Sequence, residues 1–265
     1  MSNMLGTMQG RFTSKGGFFP QEFPWRDWRH EFYMAQKHGI DCIEWMFNAE
    51  RFTENPIWTV TGRREVKDVI SDTKVMVRSI CANYFMQYNI EETGNALYIL
   101  EHLVEAAAEL DANQIIVPLF GASEITDVGK IYDIFGKICD ISHKTGIYIG
   151  FESDIPVEDQ RTVIDMLNTD NIGICYDVGN AAGNGCDVLK DITDISECLL
   201  EVHLKDKPFK GSSVMLGEGS VKFKEVFKKL NNEHGRIYIL ESYFDKDAEK
   251  DTMINIQYIR REMNG

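Results

Sequence analysis

No apolar run in the sequence approaches the ~20 residues that a membrane-spanning helix needs, so no membrane partner is expected. The opening residues, MSNMLGTMQGRF, show no basic stretch leading into an apolar one, so no secretory leader is expected and the cytoplasm is the expected compartment. Basic residues are scarce. The 28 Lys and Arg face 42 Asp and Glu, for a net charge of −14, with no Lys/Arg stripe to offset it. A surface that acidic repels a polyanion, which removes nucleic acid from the partners. The six cysteines (Cys42, Cys81, Cys139, Cys175, Cys186 and Cys198) include no CxxC pair, and four fall in apolar runs. They read as small buried hydrophobes in a reducing compartment, not as disulfides or a zinc knuckle. No GxGxxG follows the first strand-like run, so the dinucleotide-binding fingerprint is absent too.

What is present is a regular alternation. Short runs rich in Val, Ile, Tyr and Phe occur at 4–9, 42–47, 75–82, 114–120, 147–153, 172–177, 199–205 and 237–242, and most end at Gly, Asn or Asp. Between them lie amphipathic segments. In 96–110, Leu97, Leu100, Leu103, Val104, Ala107 and Leu110 keep helical spacing, and 128–143 and 221–233 repeat the pattern. Gly39, Gly146 and Gly235 stand where left-handed helix caps are wanted. Eight strands alternating with helices pair in parallel through helical crossovers. With 265 residues, close to the about 250 typical of that architecture, the chain is expected to form one α/β domain over 1–265, a (β/α)8 TIM barrel. The longest loops are expected at 48–60 and 208–220.

Barrel active sites form at the carboxyl ends of the strands. The last four strands each end in a side chain able to bind metal: Glu152 in IYIGFESD, Asp177 in IGICYDVGN, His203 in LLEVHLKD and Glu241 in RIYILESY. Neighbouring parallel strands lie ~4.8 Å apart, so matched ends converge on one small volume. Three carboxylates there would repel one another without a cation. Oxygen donors with one imidazole and no thiolate suit Mn²⁺, Mg²⁺ or Co²⁺ better than Zn²⁺. A lone carboxylate at a strand end is usually a cap or a surface charge; four on successive strands are harder to explain that way. Alternation along LLEVHLKD places Glu201, His203 and Lys205 on the inner face and Leu200, Val202 and Leu204 against the helices. Glu201 could then orient the second ring nitrogen of His203 or pair with Lys205.

With these residues in place, the chain resembles the xylose-isomerase-like barrel superfamily, in particular its sugar and sugar-phosphate epimerase branch of tagatose 3-epimerase and L-ribulose-5-phosphate 3-epimerase types. MQGR, CIEW, DVGN, HLKD and GEGSVKF are similar to fragments of that branch, and the resemblance spans essentially the whole chain. It implies one metal held by Glu152, Asp177, His203 and Glu241. One departure is Asn180, where free-ketose epimerases often place a His; there the phosphosugar branch is the better match.

The implied activity is that of an isomerase or epimerase. The ion would stabilise an enediolate formed beside the sugar carbonyl, with Glu152 and Glu241 moving the proton. Arg11 and Lys205, with Lys207 and Lys210, could hold a phosphate at the barrel mouth. Gln9, Glu44, Asn83 and Asn180 could hydrogen-bond sugar hydroxyls, though each could equally satisfy backbone groups, and Glu158 could reach the site from the loop after Glu152. Phe18, Phe19, Phe23, Trp25 and Trp58 could wall a sugar pocket or a subunit contact. The expected partner is a small sugar or sugar phosphate, and a homo-oligomer would commonly be even-numbered. Two other readings stay open: dehydration of an inosose-like keto-polyol, which needs an added acid, and a catalytically inactive sugar-binding barrel, against which two carboxylates flanking the ion argue. The five other histidines, His30, His38, His102, His143 and His234, sit in helical patterns and read as structural.

Overall fold

The computed structural model describes residues 3–14, 22–91, 95–125, 127–230 and 235–264. Eight strands, all paired in parallel, follow one another around a closed barrel: β1 (Met4–Met8), β2 (Cys42–Met46), β3 (Met76–Cys81), β4 (Gln114–Pro118), β5 (Tyr148–Glu152), β6 (Ile172–Asp177), β7 (Leu199–Leu204) and β8 (Ile237–Leu240). β8 closes on β1 with Met4 opposite Ile237 and Thr7 opposite Leu240. Outside the strands lie helices α1 (Trp28–Lys37), α2 (Val60–Thr73), α3 (Ala96–Glu109), α4 (Val128–Thr145), α5 (Val157–Leu167), α6 (Val178–Asn184), α7 (Val188–Ile195), α8 (Phe223–Leu230) and α9 (Ala248–Asn264). The expected barrel is the observed one. The strands end one or two residues before most of the sequence boundaries, so Gln9, Asn83, Lys205 and Glu241 stand just beyond their strands.

Local chemistry sets where several helices start and stop. Thr59 caps α2 by accepting from the Gly62 N–H at 3.0 Å, and Asp127 caps α4 through the Lys130 N–H at 3.0 Å. Gly146 ends α4 with φ of 72°, and Gly39 follows α1 with φ of 68°, as anticipated. Gly235 also has positive φ, but His234 before it is outside the described residues. The crossover between β6 and β7 is split into two helices at Gly185, whose φ is 84°. All six cysteines are free, with Cys42, Cys81 and Cys175 buried in the barrel and Cys186 exposed. Among the described residues, no helix is long and apolar enough to cross a membrane.

One expectation about β7 needs correction. Its pairing with β6 shifts between Ile174 and Cys175, so Leu200 has no partner of its own in the ladder. Leu200 therefore does not join Val202 and Leu204 on the outer face. It lies against Gly150 and Gly173, and a Cβ on Gly173 would come within 2.5 Å of Leu200 Cγ. The two glycines make room for the leucine where the strand begins.

The long segment between β2 and α2 is not a plain loop. Two short 3₁₀ turns, Phe52–Glu54 and Pro56–Trp58, fold it back on α2. The approach is close: a Cβ on Gly62 would stand 2.2 Å from the Pro56 carbonyl oxygen. Alanine normally improves a helix by about 1 kcal/mol over glycine. Here it meets backbone, which cannot swing away as a side chain can. Gly62→Ala is expected to lose about 1–3 kcal/mol, as overpacked sites do, measured from the urea midpoint. A higher midpoint would mean that the turn yields freely.

Candidate metal centre

Glu152, Asp177, His203 and Glu241 close β5 to β8, and the structure brings all four together. Each is buried, and one donor atom from each lies within 4.8 Å of the other three. Opposite ligands of a single hard ion at ~2.1–2.3 Å are separated by roughly 4.2–4.6 Å, so the spacing suits one ion. Strand geometry places them: Asp177 and His203 are directly opposed across β6 and β7, and His203 faces Ile239, two residues before Glu241.

Each side chain has its second face occupied by protein. Asp177 caps α6, its Oδ1 accepting the Gly179 and Asn180 N–H groups at 2.8 Å each, so that Oδ2 is left for the centre. His203 presents Nδ1 to Glu241 Oε2 at 3.1 Å and Glu152 Oε2 at 3.6 Å. Its Nε2 faces Glu201 Oε1 at 3.2 Å and Glu44 Oε2 at 3.4 Å. Glu201 in turn accepts from Gln114 Nε2 at 2.9 Å. Of its two anticipated roles, Glu201 takes the one beside His203, since Lys205 pairs elsewhere. The Lys205 ammonium sits 2.8 Å from Asp177 Oδ2 and 2.7 Å from Glu241 Oε1.

The charges do not balance. Glu44, Glu152, Asp177, Glu201 and Glu241 are buried against two permanent cations, Arg11 and Lys205. Burial would lower the His203 imidazole, but these carboxylates raise it well above its usual value, which adds a third cation. Five against three still leaves two negative charges in a medium that tolerates none unpaired. The cluster responds by favouring protons. Burial, then the Glu201 charge, raises Glu44 to about 8, and burial with Glu241 raises Glu152 to about 8. Burial would raise Glu241 too, but Lys205, His203 and Arg11 outweigh it and hold that carboxyl well below its usual range. A dication would supply what these protons supply now. Donor types, spacing and charge deficit all fit a divalent ion, which Glu152, Asp177, His203 and Glu241 would hold.

The remaining anticipated residues divide. Glu44 lies beneath the centre on His203. Arg11 is buried, with its guanidinium 3.8 Å from Glu241 Oε1, and is not an open cation at the mouth. Lys205 is likewise committed to carboxylates. Gln9 serves the backbone, its Oε1 accepting the Met46 N–H at 2.9 Å. Asn83 Oδ1 accepts from the Cys81 thiol at 3.0 Å, and Asn180 Oδ1 accepts from Lys207 Nζ at 2.7 Å. Glu158 is not brought to the site: it is exposed on α5 and pairs with Lys190 at 2.7 Å. Helical spacing explains this, because α5 turns Val157, Gln160, Val163 and Ile164 inward and Glu158 out. Among the aromatics, Trp58 stacks on Phe47 and His102 at 5.6 and 4.6 Å, and Phe23 packs on Trp45, while Phe18 and Phe19 lie outside the described residues. A small cavity of about 30 Å³ adjoins the centre, lined by Glu152, Asp177, Asp154, Asn180, Phe120 and Tyr176 among others.

Asp206, which closes the HLKD motif, proves to be the anchor of the loop after β7. Fully buried, it accepts the N–H groups of Gly217, Gly219 and Val221 at 2.9, 2.9 and 3.1 Å. Its signal in the sequence was its place three residues after His203 together with the glycines of GEGS, which leave donors free to converge. Asp206→Ala strands those donors and is expected to cost at least about 3 kcal/mol in chemical denaturation. A loss under about 1 kcal/mol would show that water replaces the carboxylate.

Barrel and donor set together define a (β/α)8 protein with a carboxylate–histidine cluster at the carboxyl ends of its last four strands. The chain belongs to the xylose isomerase-like TIM barrel family, whose model matches residues 32–262. No curated protein matches it by sequence. Among solved structures it is similar to the apo 3-keto-D-glucoside 4-epimerase YcjR from E. coli, with 18% identity, TM-score 0.74 and coverage of 98% of this chain and 100% of that one. The D-psicose 3-epimerase from Clostridium cellulolyticum H10, solved with D-tagatose, gives 11% identity, TM-score 0.75 and coverage of 98% and 99%. The probable 3-DHS dehydratase AsbF from Bacillus anthracis gives 14% identity, TM-score 0.74 and coverage of 98% and 99%. At these identities the likeness is one of fold.

Proposed function

We propose that this chain is a divalent-metal-dependent sugar isomerase or epimerase that moves a proton on carbon beside a carbonyl, with Glu152 and Glu241 as the acid–base pair. The observation that carries the reading is the buried convergence of Glu152, Asp177, His203 and Glu241. Glu152, Asp177, His203 and Glu241 would hold the ion, which when bound would supply Lewis acidity to the substrate's oxygens and make the neighbouring C–H more acidic by several kcal/mol. Asp177 and His203 serve as holders: α6 fixes one through its cap and Glu201 the other through Nε2. Glu152 and Glu241 come from β5 and β8, with two strands between them around the barrel, so they reach a bound sugar from different sides. One removes a proton and the other returns one to the opposite face, inverting the centre. Lys205, beside Glu241, holds that carboxylate in place and charged.

Free ketoses fit the site better than their phosphates. Arg11 is buried and Lys205 largely so, both against carboxylates, the Lys207 ammonium is held by Asn180, and Asp154 adds a further negative group at the adjoining cavity. A panel of ketoses, 3-keto sugars and their phosphates, followed by NMR in deuterated water with Mn²⁺, Mg²⁺ or Co²⁺, tests the reading. Carbon-bound deuterium with appearance of an isomer is the expected result. Absence of exchange from every compound with every ion would remove it.

Asp154 favours a second reading. It lines the same cavity, and partial loss of hydration there shifts its carboxyl upward against the pull of Lys207 and Lys205, the direction a general acid for a departing hydroxyl requires. A keto-polyol would then lose water, seen as the ultraviolet absorbance of a conjugated enone, and Asp154→Asn would abolish that signal.

A further inference from the structure

A second opening lies on the same face of the barrel, over the ends of β2 and β3. It is a groove of about 410 Å³, within the range of roughly 300–1,000 Å³ usual for small-ligand sites. Its walls carry the amides of Asn48, Asn83 and Gln87, the carboxylates of Glu22 and Glu50, and the half-buried ring of Trp25. The Trp25 ring is braced: Phe23 meets it edge-on at 4.8 Å, and the Arg51 guanidinium lies 4.4 Å from its centroid. Asn83 is 4% exposed, and its Nδ2 donor, closed to solvent, has no hydrogen-bond partner among the described residues. A buried amide donor left unmet just behind a groove wall is costly, at about 1–3 kcal/mol, unless a small side-chain turn brings it to a ligand acceptor.

We propose that this groove is a subsite for an uncharged glycosyl unit, so that the substrate is a keto-sugar carrying a neutral sugar substituent. The inference deepens the isomerase or epimerase reading by assigning its substrate class. Amides both donate and accept, and carboxylates accept from hydroxyls, so together they match the dense hydroxyl pattern of a sugar ring. A braced indole offers the apolar platform that the ring's C–H face needs. Anionic ligands are disfavoured. Among the described residues the groove is lined by two carboxylates and no lysine or arginine, and Arg51 nearby is held by Glu54 at 2.6 Å. Asn83 follows Cys81, the last residue of β3, so the subsite rises directly from the barrel whose other wall holds the metal cluster. A substrate with one ring at the cluster and another in the groove would lie across the mouth.

Ligand-observed NMR titration of the chelator-treated protein with methyl glycosides, unsubstituted ketoses and glucose 6-phosphate tests this. At least one neutral methyl glycoside should bind, and glucose 6-phosphate should bind more weakly than it. Asn83→Asp, which keeps the shape but replaces the donor, should weaken that binding roughly tenfold, the loss of one buried hydrogen bond. Trp25→Ala and the exposed Gln87→Ala should each weaken it as well, with the melting temperature unchanged in Gln87→Ala. Binding of no glycoside, equal binding by wild type and all three variants, or preference for the phosphate would each overturn the subsite. Because the metal-free protein is titrated, a lack of turnover leaves a positive result standing, and loss of groove binding leaves the metal cluster standing.

Discussion

Dialysed against a chelator and then against Mn²⁺, the protein is expected to take up one ion per chain, and Asp177→Ala or His203→Ala to take up none. Asp177→Ala removes a ligand and also the cap of α6, so a null result could reflect folding; His203→Ala leaves every helix cap intact and separates the two. Occupancy should show in stability. An ion at a hundredfold excess over its Kd adds about 2.7 kcal/mol. For a chain of this size that corresponds to a rise in Tm of roughly 5–10 °C. The charge deficit adds a pH signature. Glu44 and Glu152 have their carboxyls raised to about 8 in the metal-free fold. Such groups lend stability that is complete below their unfolded value of about 4.3 and is lost as pH rises through 8. The metal-free protein should therefore melt lower at pH 9 than at pH 6, with the decline reduced when the ion takes the place of the protons. Binding at pH 7 should release protons, read calorimetrically as an enthalpy that changes with the buffer's ionisation heat. Binding without proton release, or a Tm indifferent to Mn²⁺, would contradict the assignment.

The barrel was legible because its strands advertise themselves twice, by β-branched apolar runs and by a polar residue where each run stops. Glu152, Asp177, His203 and Glu241 were readable for the same reason: each is a metal-capable group at the carboxyl end of a stretch that must be buried. Position along a strand thus carries direction, since period two divides inside from outside. Loops carry no such period. Nothing in the residue order tells that Arg11 turns inward to Glu241, or that Lys205, read on the inner face, commits its charge to Asp177 and Glu241 instead of a phosphate. Those directions follow from the charge of the assembled cluster, which exists only once four distant segments meet. Leu200 failed for a related reason, because the shifted register depends on the partner strand as well as on its own sequence. Glu158 was within reach of a stricter reading, as the apolar spacing of α5 already placed it off the buried face.

Replacing either Glu152 or Glu241 by Gln should lower turnover by at least about 100-fold, the usual contribution of a positioned acid or base. Gln keeps the size and one carbonyl donor, so the loss reports the missing proton carrier more than an emptied site, provided metal content is measured on the same samples. The two variants are expected to differ. A proton-transfer pair works on opposite faces of one carbon, so each glutamate exchanges with only one of the two isomers. In deuterated water, the variant lacking one partner should still wash deuterium into the isomer that the surviving glutamate faces, without converting it to the other. The complementary variant should label the other isomer. This reciprocal pattern is hard to produce by a general loss of folding or metal, either of which would silence both exchanges together. The surroundings also predict unequal damage to the fold. Glu241 lies in contact with Lys205 at 2.7 Å, with His203 at 3.1 Å and with Arg11 at 3.8 Å, so Glu241→Gln removes the charge that three buried groups share. Glu152 is raised to about 8 by burial, and at pH 7 its replacement by a neutral amide changes little in the metal-free protein. Glu241→Gln should therefore be the less stable variant by roughly 3 kcal/mol or more, the scale on which removing one partner of a buried ion pair registers. Near-normal isomerisation by both variants would show that neither glutamate is the base.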